Sequence, residues 1–214
     1  MTDIFTRHKF RPGWVEVIVG CMFSGKTEEL IRQLRRAQLA KMKIQVFKPA
    51  LDDRYSADHV ASHNQSLFPS QIVRRSDEIL ALVEKTTEVV GIDEGQFFDD
   101  GILEITTVLA NAGKRVIVAG LDTDWKGQPF GPIPRLMAVA EVIRKQFAIC
   151  MVCGEPAVRT QRLISADNDI LVGSGEAYEA RCRTHFDPEF SQRFQQNRRQ
   201  AESLDAQEGP SPSP

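Results

Sequence analysis

The chain has 214 residues, 42% hydrophobic and 26% charged, with 27 basic against 29 acidic side chains and a net charge of −2. That length holds one substantial core plus a small lobe, and the near-neutral balance excludes the basic footprint that a nucleic-acid partner needs. Met1 to Phe10 carries Asp3, Arg7, His8 and Lys9 without an apolar stretch, and no run reaches the ~18 apolar residues of a membrane span. The expectation is a cytoplasmic protein with neither a membrane nor a nucleic-acid partner.

In chain order, Trp14 to Val19 reads as a strand and Glu28 to Lys41 as an amphipathic helix, with Leu30, Ile31, Leu34 and Ala37 on one face. Between them Gly20-Cys21-Met22-Phe23-Ser24-Gly25-Lys26-Thr27 fits G-x-x-x-x-G-K-[ST] at every specified position. Gly20 and Gly25 let the backbone turn tightly, so that successive N–H groups and the helix N-terminus face phosphate oxygens. Lys26 would reach the β- and γ-phosphates, and the Thr27 hydroxyl would hold magnesium.

Lys43 to Lys48 alternates as a strand that stops at Pro49, and a polar loop follows with Asp52, Asp53, Arg54, Tyr55 and Ser56. His59 and His63 read as solvated loop histidines rather than a metal pair, because no third ligand or helical pattern accompanies them. Gln71 to Val73 is a short strand, and Ser76 has N-cap chemistry for a helix carrying Ile79, Leu80, Leu82 and Val83. Val89 to Ile92 is apolar throughout and ends in Asp93-Glu94, as a buried parallel strand with acids at its carboxyl end would. Successive residues leaving a strand point opposite ways, so one acid serves magnesium and the longer, Glu94, reaches an acceptor hydroxyl. Ile102 to Ala112 reads as a helix with Gly113 as its C-cap, and Val116 to Gly120 as a further buried strand. The order gives an α/β fold: a parallel sheet of the phosphate-loop type flanked by helices. Leu121 to Pro134 is a long irregular connection containing Asp122, Trp125 and Phe130, the kind of segment that is usually functional. Val142 to Ile149 reads as one strand running into cysteines.

Cys150-Met151-Val152-Cys153 is followed after 28 residues by Cys182-Arg183-Thr184-His185. Two such knuckles make a closed structural zinc site of the ribbon type, with four ligands and no open position. The insert between them has little apolar content and suits two short strands joined by a loop, so metal binding supplies the folding free energy that a core would. The domain reading is 1–149 for the nucleotide-binding body, 150–190 for the zinc lobe, and 191–214 for a helix end and a Pro/Ser/acid-rich disordered tail.

Taken together, residues 14 to 186 resemble the zinc-containing type of thymidine kinase. The resemblance rests on Gly20 to Thr27, Asp52-Asp53-Arg54-Tyr55-Ser56, Asp93-Glu94-Gly95-Gln96-Phe97-Phe98, Gly120-Leu121-Asp122 with Pro129-Phe130-Gly131, and Tyr178 ahead of Cys182 to His185. It implies transfer of the ATP γ-phosphate to the 5′-hydroxyl of thymidine, a homotetramer, and feedback inhibition by thymidine triphosphate. By motif position Glu94 matches the family's general base and Asp93 the acid near magnesium. Asp52 and Arg54 match its phosphate-side loop, and Glu94, Gly95 and Gln96 are placed with Asp93 among its ATP- and phosphate-binding positions. Met22, Phe97, Leu121, Trp125, Phe130, Thr160 and Tyr178 match positions around the nucleoside, and Asp169, Ile170, Leu171, Val172 and Gly173 match the segment that hydrogen-bonds the pyrimidine. His185 stands where some members carry Cys, and zinc accepts either. A competing reading is a phosphate-loop ATPase switch whose zinc lobe binds a macromolecule. Under the kinase reading the metal holds Thr160, Leu171, Val172, Gly173 and Tyr178 in place, while the phosphate loop folds without it.

Overall fold

A computed structural model describes residues 13–50, 59–61, 67–164 and 177–190. Its body is a six-stranded, wholly parallel sheet built from β1 (Trp14–Val19), β2 (Ile44–Pro49), β5 (Gln71–Val73), β6 (Val89–Ile92), β7 (Arg115–Gly120) and β8 (Val142–Lys145). The strand order is β5-β2-β6-β7-β1-β8. A small antiparallel pair, β3 (His59–Ala61) with β4 (Leu67–Pro69), precedes β5. His59 therefore lies on a strand and not on a helix, so the helical spacing that would make it a metal pair with His63 is absent at its end.

The helices cover both faces of the sheet, which is why β6 and β7 are buried along their whole length and, after Arg115 at the start of β7, read as unbroken apolar runs. On one face α1 (Lys26–Leu39) lays Leu30, Ile31, Leu34 and Ala37 on Ile18, Val46, Val89, Ile117 and Ala119. Each fully buried Leu or Ile stabilises this contact by about 2 kcal/mol. The approach is close: a Cβ on Gly91 would lie 3.1 Å from a Leu34 methyl and 3.4 Å from a Val46 methyl. On the other face α2 (Ser76–Leu82), α3 (Ile102–Asn111) and α4 (Ile133–Val139) pack Ile79, Ile102, Leu109, Ile133 and Leu136 on Val17, Val19, Phe47, Ile92 and Val118.

Four elements differ from the sequence reading. Pairing does not stop short of Pro49: it pairs with Val73, and the Ala50 N–H donates to the Val73 carbonyl at 3.0 Å. Ser76 is the first helical residue of α2 rather than its cap, and the cap comes from outside the helix. Asp99 accepts from the Ser76 hydroxyl at 2.6 Å and the Ser76 N–H at 3.0 Å, and also from the Gly101 N–H at 3.0 Å. The Ser76 hydroxyl bond, with the two N–H groups, holds the Asp99 carboxyl below its usual range against the opposing effect of burial. Asp99→Ala should therefore lower stability by about 1 kcal/mol, the ordinary cost of a lost N-cap, and thermal melting at neutral pH checks it. Helix α4 lies where Pro132 and Pro134 suggest irregular chain, because proline is tolerated in a first turn whose N–H groups have no helical acceptor. The stretch 142–149 is two strands: β8 ends on the main sheet, Gln146 donates its N–H to the Val19 carbonyl at 2.7 Å, and β9 (Ala148–Ile149) turns away.

Beneath α1, at the amino ends of the central strands, lies a buried ionic network. Glu16 Oε1 accepts from Arg115 Nε at 2.6 Å and Trp14 Nε1 at 2.7 Å. Arg115 also donates to Gln33 Oε1 at 3.0 Å, and Gln33 donates in turn to Glu29 at 2.7 Å. Gln33 is consequently a polar residue on the buried face of α1, satisfied by Arg115 of the sheet below it and by Glu29 of its own helix.

Beyond β9 the chain forms two antiparallel pairs, β9 with β10 (Pro156–Ala157) and β11 (Arg159–Arg162) with β12 (Tyr178–Arg181). The insert therefore carries three short strands, β10, β11 and β12, where the sequence suggests two, and the segment between β11 and β12 lies largely outside the described residues. The interior of the two pairs is small: Ala148, Ala157 and Ala180 with the cysteines Cys21, Cys150 and Cys182.

Candidate active site and metal centre

The phosphate loop closes the carboxyl end of β1. Gly20 has φ 149°, and a Cβ there would lie 2.5 Å from the Gln146 carbonyl oxygen, so only glycine fits. Gly25, with φ 80°, is the left-handed residue that starts α1. Phe23 is also left-handed, with φ 64°, a conformation that costs a side-chain-bearing residue about 1 kcal/mol and must be held by its neighbours. The Cys21 carbonyl supplies part of that hold, accepting from the Ser24 hydroxyl and from Lys26 Nζ, each at 2.8 Å. Burial pushes the Lys26 ammonium down from its ordinary value, while Glu94, Cys21, Asp93 and Asp122 act in the opposite direction.

Two strands away, Asp93 leaves the end of β6 nearly buried, its two carboxylate oxygens 3.3 and 3.5 Å from the Thr27 hydroxyl. A hydroxyl and a carboxylate meeting at this spacing at the head of α1 are suited to share one hard cation such as magnesium. The next residue does not continue the strand. Glu94 takes left-handed angles, φ 51° and ψ 41°, and stands half-buried with Gln96 Nε2 donating to its Oε2 at 2.6 Å. The other end of the same amide accepts the Leu121 N–H at 3.0 Å, which ties the acid to the end of β7. The two adjacent acids thus have different hydrogen-bond partners, and it is the left-handed turn at Glu94, not strand alternation, that separates them.

The apolar residues expected near a nucleoside fall into two groups. Phe97 and Phe130 meet edge to face with centroids 5.7 Å apart. Thr160, Arg162 and Tyr178 lie on one face of the β11–β12 pair, since residues two apart share a face and Arg162 is opposite Tyr178. Trp125 is stacked on the Arg162 guanidinium at 4.8 Å. The structure therefore brings Trp125, Thr160 and Tyr178 together through a buried arginine that the sequence reading passed over. Its signal was present, in the spacing of two from Thr160. Lys48 was missed as well: it is 2% exposed, on the α1 side of β2, in the strand position beside Asp93. Asp122, buried at 5%, pairs with Lys145 at 2.7 Å just beyond the loop. Asp52, Arg54 and the segment Asp169 to Gly173 lie outside the described residues, as does the stretch 191–214.

Cys150, Cys153, Cys182 and His185 bring their ligand atoms within 4.8 Å of one another. Cys153 Sγ and Cys182 Sγ are 3.8 Å apart, far beyond a disulfide and equal to the edge of about 3.8 Å that zinc–sulfur bonds of about 2.3 Å give a tetrahedron. Cys150 Sγ and Cys182 Sγ lie 3.8 and 3.2 Å from His185 Nδ1. Each knuckle is a tight turn: the Gly154 N–H donates to the Cys150 carbonyl at 2.9 Å and the His185 N–H to that of Cys182 at 3.2 Å. Burial pushes the Cys150 thiol up, but N–H groups at Cys182, Val152 and Cys153 outweigh it and bring the group down to about 6, well placed for a thiolate ligand. Three thiols and one imidazole in this shape fit zinc and leave no position open.

A glycine-bounded loop at the head of a helix, a buried acid against its threonine, and strand order β5-β2-β6-β7-β1-β8 define a phosphate-loop nucleotide-binding protein of the α/β class. A family model described as thymidine kinase matches residues 13–186. A thymidine kinase of Bdellovibrio bacteriovorus is 58% identical over 177 residues, covering 83% of this chain and 87% of that protein. The chain belongs to the thymidine kinase family.

Proposed function

We propose that the carboxyl edge of the sheet transfers the ATP γ-phosphate to the 5′-hydroxyl of thymidine as follows. Backbone N–H groups of Gly20 to Thr27 bind the polyphosphate, and Lys26 leaves the Cys21 carbonyl, 2.8 Å away, for the β- and γ-oxygens. Thr27 and Asp93 hold magnesium, which when bound neutralises phosphate charge. Glu94 accepts the proton of the 5′-hydroxyl, fixed by Gln96. Phe97, Leu121, Trp125, Phe130, Thr160, Tyr178 and Met22 enclose the nucleoside, with Asp169 to Gly173 completing it and Asp52 and Arg54 on the phosphate side. Cys150, Cys153, Cys182 and His185 hold structural zinc. Under this reading 1–149 is the nucleotide body and 150–190 the zinc lobe with its nucleoside-binding loop.

The observation that carries the account is the meeting of Thr27 and Asp93 beside Lys26, with a second acid separately held one residue on. Steady-state phosphorylation of the four common deoxynucleosides with magnesium ATP tests it: thymidine should be the preferred acceptor, and equal rates for all four would sink the nucleoside assignment. Lys26→Ala should lower turnover and weaken ATP together, because its charge contacts phosphate in both ground and transition states. Retention of both would remove the loop from the nucleotide site.

Family membership supports three finer proposals: a homotetramer, checked by light scattering; inhibition by thymidine triphosphate, checked by titration against thymidine; and a cytoplasmic location. Among the described residues no helix is long and apolar enough to cross a membrane.

A further inference from the structure

The phosphate loop is held from the side as well as from below. The Met22 N–H donates to Thr160 Oγ1 at 3.0 Å, across 138 residues of sequence. One residue earlier the Cys21 thiol, fully buried, donates to the Ala157 carbonyl at 3.4 Å and packs with Ala148, Cys150 and Ala180. Thr160 is itself 2% exposed, on β11. A four-residue stretch of the lobe, Ala157 to Thr160, therefore grips two successive residues of the loop immediately ahead of Phe23. Phe23 is the residue with φ 64°, where the chain is least able to hold its own shape. An N–H left facing the buried Thr160 side chain without an acceptor is disfavoured, so the loop would shift if the Thr160 oxygen were removed.

We propose that Thr160 is a positioning residue for the phosphate loop: its hydroxyl oxygen fixes the Met22 N–H and so holds Phe23 and the amides beyond it in the phosphate-binding shape. This role is separate from any contact between Thr160 and a nucleoside, because the bond is already made in the protein by itself. A hydroxyl has a second capacity: while its oxygen accepts from Met22, its hydrogen remains to be donated elsewhere. One side chain on the nucleoside side thus sets the geometry of the nucleotide side, and by linkage the two ligands should favour each other's binding.

The inference rests on Gly20 to Thr27 being the nucleotide site, and the experiment separates the two ideas. Calorimetric titration of full-length wild-type protein with a non-hydrolysable ATP analogue and magnesium, without thymidine, tests the site itself; no binding there would defeat the site assignment. The inference is tested by Thr160→Val and Thr160→Ser in the same titration. Valine keeps the shape and removes the acceptor, so the analogue should bind about tenfold more weakly. Serine keeps the oxygen and should bind within about twofold of wild type. Valine binding the analogue like wild type, with only thymidine weakened, would overturn the proposal. Should Thr160→Val fail to fold, hydrogen exchange in wild-type protein decides: the Met22 amide should be protected without any ligand, and exchange at the rate of an open loop would overturn the proposal equally.

Discussion

Replacement of Glu94 by Gln should lower turnover by about 10²–10⁴ while ATP-analogue affinity stays within about twofold. The amide has almost the shape of the carboxylate, so the left-handed turn at φ 51° and the packing around it can persist. What it loses is basicity. On the proposed reading Gly20 to Thr27 grip the phosphates, and Asp93 rather than Glu94 stands against Thr27, so the nucleotide contacts should survive. The measurement is single-turnover phosphorylation of thymidine beside equilibrium binding of the analogue. An unchanged chemical step would dismiss Glu94 as the base, and a large loss of analogue affinity would move it to the nucleotide side.

Loss of zinc should have the broadest effect. Exhaustive chelation, or Cys153→Ser, removes the tie between the two knuckles, and the alanine-rich interior around them is too small to fold without metal. Thymidine binding should fall by at least about 100-fold, because Thr160 and Tyr178 lie on strands that the metal orders. From sequence the phosphate loop reads as independent of this lobe. The structure changes that expectation, since Ala157 and Thr160 both accept hydrogen bonds from the loop. Two such bonds at about 0.5–1.5 kcal/mol each correspond to a weakening of the ATP analogue of about 5- to 150-fold. Paired titrations of zinc-free protein, once circular dichroism shows the main sheet intact, give both numbers. Unaltered analogue affinity would mean that the lobe does not support the loop, and undiminished thymidine affinity would place the nucleoside elsewhere.

The parts legible in the sequence are those governed by local rules. Trp14 to Val19 and Val89 to Ile92 are found as read: Val89 to Ile92 is covered on both faces and apolar throughout, and Trp14 to Val19 is apolar except for Glu16, whose charge is met by Arg115. The phosphate loop and the zinc knuckles are fixed spacings, and each spacing encodes its own geometry. What stayed hidden depends on partners remote in sequence. Nothing near Ser76 says that its cap is Asp99, 23 residues on. Nothing near Met22 says that its N–H meets Thr160. Arg162 looks like a surface residue until the strand pair and Trp125 enclose it. Helix α4 was obscured differently, by reading two prolines as breakers where one precedes the helix and the other occupies its first turn.

The buried network of Glu16, Arg115, Gln33 and Trp14 lies at the amino ends of the strands, whereas Thr27, Asp93, Glu94 and Leu121 lie at their carboxyl ends. The two groups share the same strands and helix α1 but no side chain. Rigidity and chemistry are therefore set by different letters of the sequence. An engineer could trade the ionic cluster for a well-packed apolar one to alter heat tolerance and leave the reacting edge untouched, and natural drift has the same latitude.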